Sequence, residues 1–294
     1  METEVRTLVS PTILKRHRTL YFVLLVLMVV LFSLVFFFPF YWMVTGAVKD
    51  TQEVIQPNPT WIPESFHPET YLLAWKNMRI GHFLLNTTYY AIGTWLFQLI
   101  IDVSAAYALS KLRPIFGKVI LGGMLASLML PMTALLVPAY LTVTDVPIFG
   151  WNLINTPWAL WLPGAANAFN IYVLKRFFDQ IPTDLLDAAA MDGAGKLRML
   201  WNVVLPLSRP VLAVVSIFAI IGAWKDFLWP LLVLQDPEVQ NISVALSRLA
   251  ATGGTVPFTQ LLAGLVIASV PMVIVFLVFQ RHILSGLSAG GMKG

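Results

Sequence analysis

An all-α polytopic membrane protein with six transmembrane helices is the fold class this sequence predicts, and three observations predict it. Hydrophobic residues make up 58% of the 294 positions and charged residues only 12%, where soluble domains carry about 25%. The apolar residues gather in six runs of the length that a helix needs to cross a hydrocarbon core of roughly 30 Å. Lysine and arginine concentrate between alternate runs. With a mean hydropathy of +0.77, a soluble single-domain enzyme is excluded. Cysteine is absent, which rules out disulfides, thiolate zinc sites, cysteine-ligated clusters and cysteine nucleophiles.

The predicted spans are 21–46, 84–109, 119–142, 154–174, 210–234 and 258–280, and four of them hold no charge. The first is too long for the apolar core of a signal peptide and is read as a retained helix, despite the small residues Thr45, Gly46 and Ala47 that follow it. Segments 1–20, 110–118, 175–209 and 281–294 carry 14 basic residues, against 4 in segments 47–83, 143–153 and 235–257 of similar total length. Basic residues mark the cytoplasmic side, so both termini, the N-terminal segment 1–20 and the C-terminal tail 283–294, are expected inside. The net charge of +4 therefore reports topology, and no nucleic-acid partner is expected. Tyr41, Trp42, Tyr71, Trp75, Trp151 and Trp158 lie at span ends, as interfacial anchors do. Prolines 131, 138, 163, 230 and 271 interrupt the spans; each frees a carbonyl that neighbouring helices or cavity water must satisfy.

The cytoplasmic segment 175–209 reads as a structured element. Pro182 sets its start, Thr183 or Asp184 can cap a helix from about 184 to 192, and Asp184 and Asp187 suit the positive end of the helix dipole. Leu185, Ala188, Ala189 and Asp192 share one face by spacing, and the Ala188–Ala190 run leaves the backbone bare for close approach. Gly193 and Gly195 break the helix. A second short helix through Met199 and Trp201 then leads by Leu205 and Pro206 into the fifth span, giving a helix–turn–helix parallel to the membrane. Local pattern alone favours an amphipathic helix resting on the bilayer surface.

The string IPTDLLDAAAMDGA at 181–194, followed by LPL at 205–207 and Pro210, resembles the EAA loop of binding-protein-dependent ABC importer permeases. Its DGA and LPL elements point to the carbohydrate group of that family. PFYWMVTGAVK at 39–49, AAYALSKLRPIFGK at 105–118 and FQRHILSGLSAGGMKG at 279–294 resemble the maltose-type permeases as well. The resemblance implies a type I ABC importer permease fold in the bacterial inner membrane. It also implies half of a carbohydrate translocation path shared with a second homologous permease, two cytoplasmic ATPase subunits and an extracytoplasmic binding protein. In the family the loop helix docks in a groove of the ATPase. By that likeness Asp187 is the charged contact, Ala188 and Ala189 the close-packing surface, Asp192 a neighbour on the same face and Gly193 the turn that shapes the loop. Asp187 stands where the family usually has glutamate, so its carboxylate reaches one methylene less far. The chain has no GxxxxGK[ST] loop, since Gly117-Lys118 and Gly195-Lys196 lack the upstream glycine and the following hydroxyl residue. ATP and magnesium are therefore expected on the partner ATPase, with no cofactor on this chain.

Asp102, Lys225 and Asp226 lie inside spans, and a charge at that depth is by default a functional candidate. Each is expected to face a wet cavity or a partner subunit. GAWKDFLWPLLVL resembles a segment of sugar permeases that commonly has asparagine where Lys225 stands; Trp224 beside it joins the path candidates. Lys225 could hold an anionic substrate group, snorkel, or pair with a neighbouring subunit. Asn167 and Asn170, near the Pro163-Gly164 break, are path candidates or interhelical hydrogen-bonding groups. In the outer segment 235–257, Asn241, Arg248, Gly253 and Gly254 form a loop that in related permeases faces the binding protein; the alternative is a disordered connector. A single-chain secondary transporter would share the spans and broken helices without needing the small-residue loop helix. A membrane enzyme would need a catalytic constellation, but HExxH and GxSxG are absent, and His17, His67, His82 and His282 lie outside the spans or at an edge.

Overall fold

The computed structural model describes residues 18–58 and 60–291, with side chains unassigned at Arg18, at Met132 and from 281 onward. The expected cytoplasmic N-terminal segment thus lies almost wholly outside the described residues, as do the side chains of the expected C-terminal tail. Helices follow one another as α1 Arg18–Ala47, α2 Thr51–Ile55, α3 Glu69–Asn77, α4 Ile80–Tyr107, α5 Gly117–Ser127, α6 Met132–Thr144, α7 Trp158–Trp161, α8 Ala168–Asp179, α9 Thr183–Met191, α10 Lys196–Met199, α11 Leu205–Leu207, α12 Arg209–Lys225, α13 Leu228–Val233, α14 Ile242–Ala251 and α15 Phe258–Gly291. Among the described residues there is no named strand, in keeping with the all-α class.

α1 is apolar on every face, and its hydrophobic stretch is not buried anywhere within the chain. Such a helix is stable only where lipid or a partner replaces water. α4 is the spine. Its 28 residues span about 42 Å, and three apolar cores are strung along it. Ile80 and Phe83 join an outer core with Ala74, Ile242 and Leu262; Tyr90 joins a second with Val143, Ala159 and Trp229. Val103, Ala106 and Tyr107 join a third with Ile171, Leu174, Phe178 and Val215. Gly93 lies where α7 crosses: a Cβ there would stand 2.2 Å from the Trp161 ring, so only glycine admits that indole.

Three of the six predicted spans, 21–46, 84–109 and 258–280, are continuous helices, whereas 119–142, 154–174 and 210–234 are broken. Proline explains the breaks at 131, 163 and 230, whereas Pro138 and Pro271, expected to interrupt their spans too, lie inside continuous helices. Pro131 opens α6 with extended backbone, after α5 has ended at Ser127. Pro163 and Pro230 each remove the amide that would have bonded the carbonyl four residues earlier, and in both cases a side chain takes up that carbonyl. Trp229 Nε1 donates to the Ala159 carbonyl at 2.9 Å, and Asn241 Nδ2 to the Asp226 carbonyl at 3.1 Å. Irregular backbone at membrane depth survives only where such partners exist.

Candidate functional site

The segment after α8 is fixed to the end of α4 by a charged clamp. Asp179 accepts from Lys175 Nζ and Ser110 Oγ, both at 2.7 Å. Burial pushes its carboxyl up, but the hydrogen bonds from Lys175 and Ser110 and the charges of Lys175 and Lys111 outweigh that and hold it below the usual carboxylate range. Lys111 Nζ donates to the Ile181 carbonyl at 3.0 Å, and the Tyr107 hydroxyl to the Lys196 carbonyl at 2.9 Å. Ile181, Leu200 and Val204 are buried in the core beneath.

On this base α9 starts one residue earlier than expected. Thr183 is already helical, Pro182 precedes it, and no side chain caps the helix; the expected cap by Thr183 or Asp184 is not formed, because both lie inside the first turn. Asp184 there still meets the positive end of the helix dipole. The helix closes as a Schellman turn. The Gly193 amide donates to the Ala190 carbonyl at 3.0 Å and the Ala194 amide to Ala189 at 2.9 Å, with Gly193 at φ +79°, a conformation other residues adopt only with strain. Leu186 packs inward and Ala189 is half-buried, while Leu185, Asp187, Ala188 and Asp192 are exposed. Three large apolar side chains, Met191, Leu197 and Trp201, are 88%, 74% and 67% exposed. The tract Lys196–Leu207 then meets α12 at 85°, so it lies across the axis of the fifth span. The result is a rigid platform with an uncovered apolar surface, and Asp187 forms no ion pair among the described residues.

The path candidates divide into two groups. Asp102, Asn167 and Asn170 meet: the Asn167 amide donates to Asp102 Oδ1 at 2.8 Å, and Asn167 Oδ1 accepts from the Asn170 amide at 3.0 Å as the cap of α8. Asp102 is 1% exposed, so contrary to expectation it faces neither cavity nor partner. It pins the restart of the broken fourth span to α4. Trp224, Lys225 and Asp226 lie at the break between α12 and α13. Lys225 is exposed, and Trp224 and Asp226 are partly so.

The outer segment is no disordered connector. It contains α14, whose Ile242, Val244, Ala245 and Leu246 are buried. Asn241 is buried too, and its Oδ1 caps α14 by accepting from the Val244 amide at 3.0 Å. Arg248 donates to the Gln235 carbonyl at 3.3 Å. Gly253 and Gly254, both at positive φ, form a tip with nothing within 4 Å of either Cβ position.

Sequence reasoning missed what holds this segment. Arg79 makes a paired contact to both Glu238 carboxylate oxygens at 2.6 and 2.9 Å. His82 Nε2 lies 2.7 Å from the Glu238 carbonyl, Asn86 Nδ2 donates to the Glu238 and Gln240 carbonyls, and the Tyr90 hydroxyl donates to Val239. The Arg79 hydrogen bonds hold the Glu238 carboxyl below its ordinary range. The signal was present as polar residues at 79, 82, 86 and 90, one helical face, but their target is about 150 residues away in sequence.

The description "binding-protein-dependent transport system inner membrane component" matches residues 101–288. A diacetylchitobiose uptake permease, NgcG of Streptomyces coelicolor, is 30% identical over 90% of this chain and 87% of its own. The sulfoquinovosyl glycerol permease SmoH of Agrobacterium fabrum is 31% identical over 87% of this chain and 89% of its own. A chain from the crystal structure of a bacterial ABC transporter that imports the acidic polysaccharide alginate superposes with a TM-score of 0.78, at 23% identity, over 94% of this chain and 99% of that one.

Proposed function

Because the chain belongs to the family of binding-protein-dependent transport system inner membrane components, we propose that it is one permease subunit of an ATP-driven carbohydrate importer. A second, homologous permease supplies the other half of the path, and two cytoplasmic ATPases bind ATP and magnesium. The observation that carries the coupling role is the platform at 183–207: a rigid helix–turn–helix with its apolar residues uncovered at one end of a membrane protein. An apolar surface of this kind marks an interaction site. Asp187 and Asp192 border it and suit a basic groove on the ATPase. The 14 to 4 distribution of basic residues supports a cytoplasmic position for this platform and for both termini. On this reading the tip at Gly253-Gly254 faces the opposite side, where the binding protein approaches. The carbohydrate substrate is supported by the relatives, which are named for diacetylchitobiose and sulfoquinovosyl glycerol.

Two substitutions test the coupling role. Asp187→Lys reverses the charge at a complementary interface, an effect of several kcal/mol when the pair is close. Gly193→Pro removes the amide that closes α9 and forbids its positive φ. Both are expected to abolish uptake and loosen the ATPase while the protein inserts and purifies at the normal level. Normal uptake with either would refute the docking role.

A further inference from the structure

The break in the fifth span leaves one charge uncommitted. α12 has 17 residues, so Lys225 sits about 25 Å from its start, within a hydrocarbon layer of about 30 Å. It is exposed and makes no ion pair or hydrogen bond among the described residues. Its neighbour Asp226 is adjacent in sequence and does not face it. Among the described residues, no amide from beyond the break returns to the carbonyls of Ala223, Trp224 or Lys225. Asn241 satisfies the Asp226 carbonyl alone.

Lipid-exposed irregular backbone does not occur at membrane depth, and a lysine inside the hydrocarbon layer is costly unless it snorkels to the interface or meets water. Phe218, Gly222 and Lys225 line one exposed stripe of α12, and a Cβ at Gly222 would meet nothing within 4 Å. The approach to the lysine is thus open along the helix, and no backbone amide from beyond the break reaches the carbonyls beside it among the described residues. We propose that Lys225 is an anion-binding position on the aqueous path, where its ammonium holds the carboxylate, sulfonate or phosphate of a charged saccharide and the neighbouring carbonyls accept sugar hydroxyls. The inference rests on the importer reading above and narrows its substrate class to anionic carbohydrates.

The test uses the whole importer, reconstituted in vesicles with its ATPases, second permease and binding protein. Because the chain lacks cysteine, Lys225→Cys gives it a single thiol for a membrane-impermeant methanethiosulfonate, counted on this subunit after it is separated from its partners; ready reaction is expected. In uptake assays with a triuronate and with maltotriose as probes, Lys225→Asn is expected to lower triuronate uptake about tenfold, the loss of one charge-assisted hydrogen bond. Lys225→Arg should preserve most of it. A thiol at 225 inert to the reagent would place the side chain in lipid or against the other permease and overturn the proposal. Undiminished triuronate uptake by Lys225→Asn would do the same, as would a wild type that takes maltotriose and refuses the triuronate. Uptake of neither probe, nor of diacetylchitobiose or sulfoquinovosyl glycerol, would overturn the carbohydrate reading itself, and the anion site with it.

Discussion

Two short helices of nearly equal length lie between spans at opposite ends of this protein, and they treat their apolar residues in opposite ways. The nine residues of α9 include no buried side chain, and Met191, Leu197 and Trp201 around it stand open. The ten residues of α14 bury Val244, and bury Ile242, Ala245 and Leu246 against α3, α4 and α15. Both are anchored from α4 and the residues that flank it. Tyr107 and Lys111 hold the first by backbone carbonyls, whereas Arg79, His82, Asn86 and Tyr90 hold the segment leading into the second. The difference lies in the side chains each helix turns outward. α14 is finished within the chain, but α9 is anchored at both ends and leaves large apolar side chains uncovered around it, as the docking role proposed above requires.

The sharpest way to break this contrast is to place the same substitution on both helices. Ala245→Asp buries a charge with no partner in the outer core and is expected to cost about 3–5 kcal/mol, read as a large fall in the thermal midpoint of the purified protein. Ala188→Asp, on an exposed face, is expected to stay within about 0.5 kcal/mol. Equal losses at the two sites would mean that α9 is as much a core element as α14.

A smaller effect concerns pH. Glu238 at the end of the molecule that carries α14 and Asp179 at the end that carries α9 are both held below their ordinary values. For a carboxylate lowered in the folded state, stabilisation is complete above the unfolded value and is lost as pH falls through the folded one. Both anchors should therefore hold at neutral pH and weaken together only below about pH 4. Glu238→Gln and Asp179→Asn should each reduce that acid sensitivity, followed by melting curves at pH 3 to 5. An unchanged acid limb in both variants would count against the two clamps.

Six apolar runs, the basic asymmetry and the turn at Gly193 were legible in the sequence because each is a local signal: run length, composition, or one residue demanding positive φ. The breaks at 131, 163 and 230 were legible for the same reason. What rescues those breaks was not. Trp229 reaches back 70 residues to Ala159, and Asn241 reaches back 15 to Asp226. Asp102 misled because an acidic residue at membrane depth looks functional from sequence alone. Only the fold brings the Asn167 amide to it and buries the pair. Asn241 misled in the same direction: it lies in a segment with loop-like spacing and is a buried helix cap.

The central claim, that the platform at 183–207 is a surface awaiting a partner while α14 is complete, is tested most directly by thiol labelling in the cysteine-free background. Ala188→Cys and Ala245→Cys are compared in the purified permease with and without the ATPase subunits proposed above, the label being counted on this chain alone. The expected result is rapid labelling at 188 that slows at least tenfold once the ATPase is bound, with 245 slow throughout. Labelling at 188 that proceeds at the same rate in both preparations would contradict the account.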